Sequence, residues 1–476
     1  MTSQLPPDEI SNLFRKLPSV HDLLQTKRLQ AAEQQFGRVR TRETARLVLD
    51  QQRNQIQQAG PQVDPEDLEA FAETVVELLD QFNQVQIRKV LNATGILLHT
   101  GLGRAPLAPQ AIAAMNESAG YCNVEIDLVS GKRTQRSQIV EADLCSLTGA
   151  EAAHVVNNNA GATGLLLAAF ASGREVIVSQ GELIEIGGGF RLPEVFEAFG
   201  TKLRAVGTTN RTRVNDYANA ISDDTGAIIM VHTSNYQVVG FTEQANLKEL
   251  VRLGEEHDIP VIHDIGSGSL GSSPIKLLES EPHVRNSIRA GADLVLFSGD
   301  KLLGGPQCGV IVGKKTLIQK LERHPISRAL RVDKVTLAAL QATLAIYRLA
   351  DSDPHALDSI PFYKMMQVPV EKIQLRAAKI VERLSQSHPD WQVNVIESIA
   401  SVGGGSLPGS EMPSCAVRIQ HSVYDPDTIA QRLRLGHPSI VGRVQDDAVL
   451  LDLRCIQPED DDLFCNAVSQ MCSRSS

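Results

Sequence analysis

Between residues 140 and 313, short apolar runs alternate with helical patterns. The runs are "AAHVVNN", "EVIVSQ", "KLRAVGT", "AIIMVHT", "IPVIHDIG", "ADLVLFSG" and "CGVIVG", and the intervening stretches include "GLLLAAFASG" and "ANLKELVRLGEEHD". Continuous rather than alternating apolar runs mark strands covered on both faces, so this region predicts a mostly parallel sheet with helices on either side. Before it, "SVHDLLQTKRLQAAEQQFG" and "TRETARLVLDQQRNQIQQ" repeat with helical spacing, and "AGPQVDPEDLE" follows with linker and helix-start character. After it, the amphipathic "KIQLRAAKIVERLSQ" precedes the strand-like "WQVNVIES", "SCAVRIQ" and "AVLLDLRC". The pattern predicts a helical domain at residues 1–65 with a linker near 60–67, a large α/β domain at 66–365, and a smaller α+β domain at 366–476. The helix "DLEAFAETVVELLDQFN" and the glycine-rich "VLNATGILLHTGLGRAPL" open the large domain in this scheme.

A chain of 476 residues is too long for one core, in keeping with several domains. Its seven cysteines show neither Cys-x-x-Cys nor Cys/His ligand spacing, which argues against a metal site or a disulfide framework and predicts a reducing cytoplasm. The N-terminus lacks the basic start and apolar core of a signal peptide, and no stretch approaches the roughly 18 apolar residues of a membrane span. The net charge of −10 speaks against a surface uniformly coated for nucleic acid. Locally the balance reverses: through residue 60 the cations Arg15, Lys16, Lys27, Arg28, Arg38, Arg40, Arg42, Arg46 and Arg53 outnumber the anions. A solvated helical face would carry the same charges.

In "FSGDKLLGGPQCG", Lys301 follows an apolar run and precedes a Gly-Gly-Pro turn, at the carboxyl edge of the sheet where α/β proteins place their chemistry. A surface lysine past a strand end would read the same way in isolation. A lysine that forms a Schiff base with pyridoxal phosphate needs a carboxylate for the pyridine nitrogen and an anion site for the phosphate. Asp264, ending "PVIHD", supplies the first. The loop "NNNAGATG", leaving one strand and opening a helix, supplies the second through backbone N–H groups. Ser298 adds a hydroxyl, and Gly304 and Gly305 permit close backbone approach.

Together these residues resemble the aspartate-aminotransferase-like (fold type I) pyridoxal phosphate enzymes. The stretches "LNATGILLHTGLGRAPL", "VGTTNRTR", "VHTSNYQVVGFT", "DIGSGSL", "ADLVLFSGDKLLGGPQCGVIVG", "RALRVDKVTLAALQATL" and "GGGSLP" further resemble the bacterial selenocysteine synthase family, the L-seryl-tRNA(Sec) selenium transferases. The resemblance implies that Lys301 is the Schiff-base lysine, with Asp300 a second catalytic group beside it. It implies that Asp264, Ser298, Asn159, Ala160, Gly161 and His232 hold the cofactor, and that Arg104, Arg328 and Arg331 bind selenophosphate. Guanidinium forks suit that compact polyanion, although Arg328 and Arg331 alone would fit a salt-bridged helix face. The family's reaction converts seryl-tRNA(Sec) to selenocysteinyl-tRNA(Sec) through an aminoacrylyl-tRNA intermediate. The basic N-terminal helices would bind the tRNA, and the assembly would be a large ring of dimers with active sites at subunit interfaces. Gln180, Gly189 and the lead "PISRALR" depart from the family pattern without removing a catalytic group. A pyridoxal phosphate lyase acting on a small phosphorylated amino compound remains the alternative, one with no use for the basic helices.

Overall fold

The computed structural model describes residues 6–59, 65, 67–83, 87–186, 189–270 and 275–473. The linker expected at 60–67 lies, apart from Pro65 and Asp67, outside the described residues. The chain divides into two compact units, Met1–Lys89 and Val90–Ser476.

The first unit is helical: α1 (Pro7–Lys16), α2 (Val20–Leu24), α3 (Lys27–Phe36), α4 (Arg38–Ala59) and α5 (Leu68–Asn83). Ser19 caps α2 and Thr26 caps α3 through their hydroxyls, which separates two short helices that would otherwise run together. Phe71, Ala72, Val75 and Leu79 of α5 share one core with Leu23, Leu29, Ala45, Val48 and Leu49. The unit therefore takes in a helix that the sequence pattern assigned to the next domain. An amphipathic helix announces that it has an apolar face, but not which neighbour will cover it.

The second unit is built on seven strands: β1 (Ala152–Val156), β2 (Glu175–Ser179), β3 (Lys202–Val206), β4 (Thr225–Val231), β5 (Val261–Gly266), β6 (Leu294–Ser298) and β7 (Gly309–Gly313). They lie in the order β1-β7-β6-β5-β4-β2-β3. All neighbours are parallel except β7, which runs antiparallel to both β1 and β6. Every residue of β6 and β7 is buried, as the unbroken apolar runs require, because helices cover both faces. Separate cores form on the two faces of the sheet: Phe297 and Val310 belong to one, Leu296 and Ile311 to the other. Burying each such side chain stabilises the fold by roughly 1.5–3 kcal/mol.

The register sets the site. Gly309 pairs with both Val156 and Ser298, and Asp264 pairs with Val231 and Leu296, further back along the sheet. The carboxyl ends of β1, β4, β5 and β6 therefore meet at one edge.

Residues 366–476 have their own core but do not form a separate unit. The antiparallel strands β8 (Gln392–Ala400), β9 (Met412–Gln420), β10 (Arg443–Gln445) and β11 (Ala448–Asp452) pack against the helix Val370–Ser387. The strand Val90–Asn92 pairs in parallel with Ser439–Val441, which ties this region to the start of the unit. No helix among the described residues is long and apolar enough to cross a membrane.

Candidate active site

Asp264 sits near the end of β5 and is buried. The helix α6 (Asn159–Phe170), which follows β1, brings Asn159 and Thr163 onto one face at i and i+4. The Asn159 amide donates to Asp264 Oδ1 at 2.9 Å and the Thr163 hydroxyl to Oδ2 at 3.2 Å. Burial pushes the carboxyl pKa up, while the Asn159 donor and the Lys301 charge oppose that rise. Asn159, expected to hold the phosphate, is thus engaged by its side chain in orienting Asp264.

Lys301 is buried at 4% exposure. Burial and the neighbouring Arg104 lower its ammonium pKa against the pull of Asp264, Asp300 and Glu281, which raises the neutral fraction a base requires. Its Nζ lies 3.4 Å from the carbonyl oxygen of Gly405. The turn behind it needs glycine: Gly304 has φ +69°, and a Cβ there would run into Ile360. Asp300 pairs with Arg104 while its charge also acts on Lys301. Its Oδ2 accepts from Arg104 Nη1 at 2.8 Å, and Arg104 holds a left-handed backbone, φ 60°, that few non-glycine residues adopt. Asp300 therefore holds Arg104 at the site.

At the start of α6 the Asn158 side chain caps the helix by accepting from Gly161 N at 2.7 Å. A Cβ on Gly309 would strike the Asn158 carbonyl, so β7 can pass beneath this turn only with glycine at that position. Arg104, Asn159, His232, Asp264, Ser298 and Lys301 all line one cavity of about 220 Å³, and Ala160 joins them. Among its lining atoms, Arg104 Nε, Asn159 Oδ1 and His232 Nε2 are buried without a hydrogen-bond partner. Unsatisfied buried polar atoms around an enclosed carboxylate and amine fit a polar, anionic ligand better than an empty fold.

Arg328 and Arg331 are placed elsewhere. Arg328 is exposed on the short helix Pro325–Ala329. The backbone of Arg331 bridges Val156 beside the α6 turn, but its side chain enters a second cleft of about 400 Å³ with Arg133, Arg136 and Glu125. There Glu125 accepts from Arg136 and Arg133 at 2.7 Å each, and these donors hold its carboxyl down at about 2. Sequence reasoning also passed over Thr163, Gly405 and Glu281. A threonine one turn after Asn159 was the only visible signal for the first, and nothing local marked the others.

A seven-stranded sheet of this order, with an enclosed aspartate and lysine at its carboxyl edge and a helix start beside them, defines an aspartate-aminotransferase-like fold type I enzyme. A solved structure titled D-glucosaminate-6-phosphate ammonia-lyase shares the fold, with a TM-score of 0.56 at 18% identity over 84% of this chain and 98% of that one. Residues 90–457 match the family model L-seryl-tRNA selenium transferase, and residues 14–53 match selenocysteine synthase N terminal. The chain belongs to the L-seryl-tRNA selenium transferase family. Its relatives include the L-seryl-tRNA(Sec) selenium transferase of Carboxydothermus hydrogenoformans, 43% identical over 96% of this chain and 97% of that protein. The protein of the same name from Aquifex aeolicus is 41% identical over 95% and 97%. These relationships favour the transferase reading over the small-molecule lyase. Pyridoxal 5'-phosphate is the cofactor of this fold and family. The cavity suits it: Asp264 would meet the ring nitrogen, Lys301 the aldehyde carbon, and Ser298 with the start of α6 the phosphate.

Proposed function

We propose that the chain converts L-seryl-tRNA(Sec) to L-selenocysteinyl-tRNA(Sec) with selenophosphate as the selenium donor. The observation that carries this reading is an enclosed lysine–aspartate pair in a chain similar over nearly its whole length to transferases of that name. When bound, pyridoxal phosphate supplies an electron sink for the substrate's Cα. The Lys301 amine removes the Cα proton and later returns one, a task its buried and lowered ammonium suits. Asp264, held by Asn159 and Thr163, keeps a positive charge on the ring nitrogen. The β-hydroxyl leaves as water, selenium bonds to Cβ, and its bond to phosphorus breaks to release phosphate.

Arg104, pinned by Asp300, meets the anionic donor from within the cavity. Arg328 and Arg331 of the same chain do not line that cavity, and we assign their part in selenophosphate binding to the cavity of a second copy. This accords with a homo-oligomeric ring of dimers in the cytoplasm. The helical unit carries the tRNA, its exposed cations meeting phosphates.

The test is direct. Purified protein, seryl-tRNA(Sec) and selenophosphate are expected to yield selenocysteinyl-tRNA and phosphate in equal amounts. Turnover of a small phosphorylated amine without tRNA, and none of the charged tRNA, would replace this reading with the lyase.

A further inference from the structure

His232 follows β4 and lines the Lys301 cavity, but it also lines a second cavity of about 260 Å³ with Tyr236, Leu277, Glu281, Leu407 and Ser410. His232 is thus common to the linings of both cavities. Its backbone N–H is fixed by the Asp264 carbonyl at 2.9 Å, which leaves the ring's orientation to its side-chain partners. The one facing it is Glu281, whose side chain is only 3% exposed: Oε2 stands 3.4 Å from His232 Nε2. That is an ion-pair distance, yet neither atom has an aligned hydrogen bond.

The other carboxylate oxygen of Glu281 is fully used. Oε1 accepts the N–H of Leu407 at 2.9 Å in a buried bond. Leu407 is itself in the left-handed region, φ 50°, and follows three glycines with φ of 71°, 66° and 71°. A leucine in that conformation costs roughly 1–2 kcal/mol, so something must hold it there. The same loop reaches Lys301, because its Gly405 carbonyl is the oxygen near Nζ. Glu281 therefore stands between the wall of the cavity and the loop that touches the amine.

We propose that Glu281 is a positioning residue of the active site, orienting the His232 ring with one oxygen and latching the strained Gly403–Gly409 loop over Lys301 with the other. Burial is the largest influence and pushes this carboxyl up, but His232, Ser267 and the Leu407 N–H together outweigh it and keep Glu281 below the usual carboxylate range. A buried carboxylate is costly unless it is paired, and the two groups Glu281 faces, the Leu407 N–H and the His232 ring, belong to the two sides of the site.

The proposal rests on the reaction assigned above, but its two contacts can be read without that reaction. In the full-length holoenzyme, Glu281→Gln keeps an acceptor for Leu407 and loses the charge facing His232, whereas Glu281→Ala loses both. Amide hydrogen exchange at Leu407 is expected to stay within about threefold of wild type in the Gln variant. It is expected to speed up about tenfold or more in the Ala variant, the scale of one hydrogen bond. The Gln variant is expected to shift the absorption band of the bound cofactor and to lower kcat about tenfold while KM for seryl-tRNA stays constant, the signature of lost positioning rather than lost binding. If the Ala variant does not fold, Glu281→Met, which fills the same space with no oxygen for the Leu407 N–H, takes its place in the exchange measurement. Wild-type exchange at Leu407 in Glu281→Ala would overturn the latch, and a wild-type spectrum and kcat in Glu281→Gln would overturn the orienting role. Altered exchange and spectrum in a protein that never forms selenocysteinyl-tRNA would support the pair and overturn the reaction assignment.

Discussion

The two units carry charge in opposite ways. In the helical unit Arg42 and Arg46 stand exposed one turn apart on α4, and Arg28 and Arg53 make surface pairs with Glu73 and Asp50. In the sheet-based unit Lys301, Asp264 and Glu281 are enclosed, each facing named partners. Exposed pairs are worth about 0–1 kcal/mol and yield to salt, whereas an enclosed ion is costly and answers by shifting its proton affinity. One unit is therefore tuned to ionic strength and the other to protonation.

The sharpest way to break that contrast is at the enclosed amine. Lys301→Ala is expected to lower turnover at least about 10³-fold, since one group serves as cofactor anchor and as base, while tRNA affinity stays within about twofold. Residual turnover near wild type would show that the buried ion is not the catalyst.

Removal of the helical unit comes next in size. The cut belongs at residue 89 rather than 65, because the shorter deletion would strand the apolar face of α5 that the other helices cover. The truncated protein is expected to keep its cofactor absorbance and to lose tRNA affinity on the order of 100-fold at low salt. Arg42→Gln and Arg46→Gln should each reduce the log–log salt slope by roughly 0.7–0.9 where a phosphate contact is lost. Binding measured at two salt concentrations reads both. An unchanged slope would remove these cations from the RNA surface.

The smallest effect sharpens the pH side. Burial holds His154, beside Ser327, and His263, beside Ser287, neutral, each down at about 4. The unfolded chain then binds more protons than the folded one between about pH 6.5 and 4. Stability is fully present above 6.5 and is lost as pH falls, by up to about 1.4 kcal/mol per pH unit for each histidine. Urea unfolding across that range should show this slope, and His154→Gln should flatten part of it. A slope unaltered by the substitution would place the acid sensitivity elsewhere.

Lys301 and Asp264 were legible because each ends or follows an apolar run, and strand ends in such a sheet share one edge whatever the connections between them. The start of α6 was legible for the same reason, through "NNNAGATG" leaving a strand. What Asn159 does there was not: an asparagine at a helix start reads as an anion contact, and its bond to Asp264 depends on β1 and β5 being brought to one edge. Asp300 likewise reads as a partner of the adjacent lysine until the left-handed Arg104 claims it from nearly two hundred residues away. Arg328 and Arg331 share a motif with the lysine's family but not its cavity, since motif order does not specify where a side chain points. Helix α5 was predicted in place and assigned to the wrong neighbour for the reason that governs all amphipathic helices: the partner is chosen by tertiary packing.

The parallel pairing of Val90–Asn92 with Ser439–Val441 has a consequence for how the molecule is made. On a ribosome adding roughly 5–20 residues per second, the first of these strands waits about 20–70 seconds for a mate about 350 residues downstream. The helical unit waits for nothing beyond Lys89 and can mature while the rest is still being synthesised. The loop that touches Lys301 arrives almost as late as the closing strand. The backbone contact to the Lys301 amine is therefore made late, and a chain stalled before residue 405 would carry that amine without it.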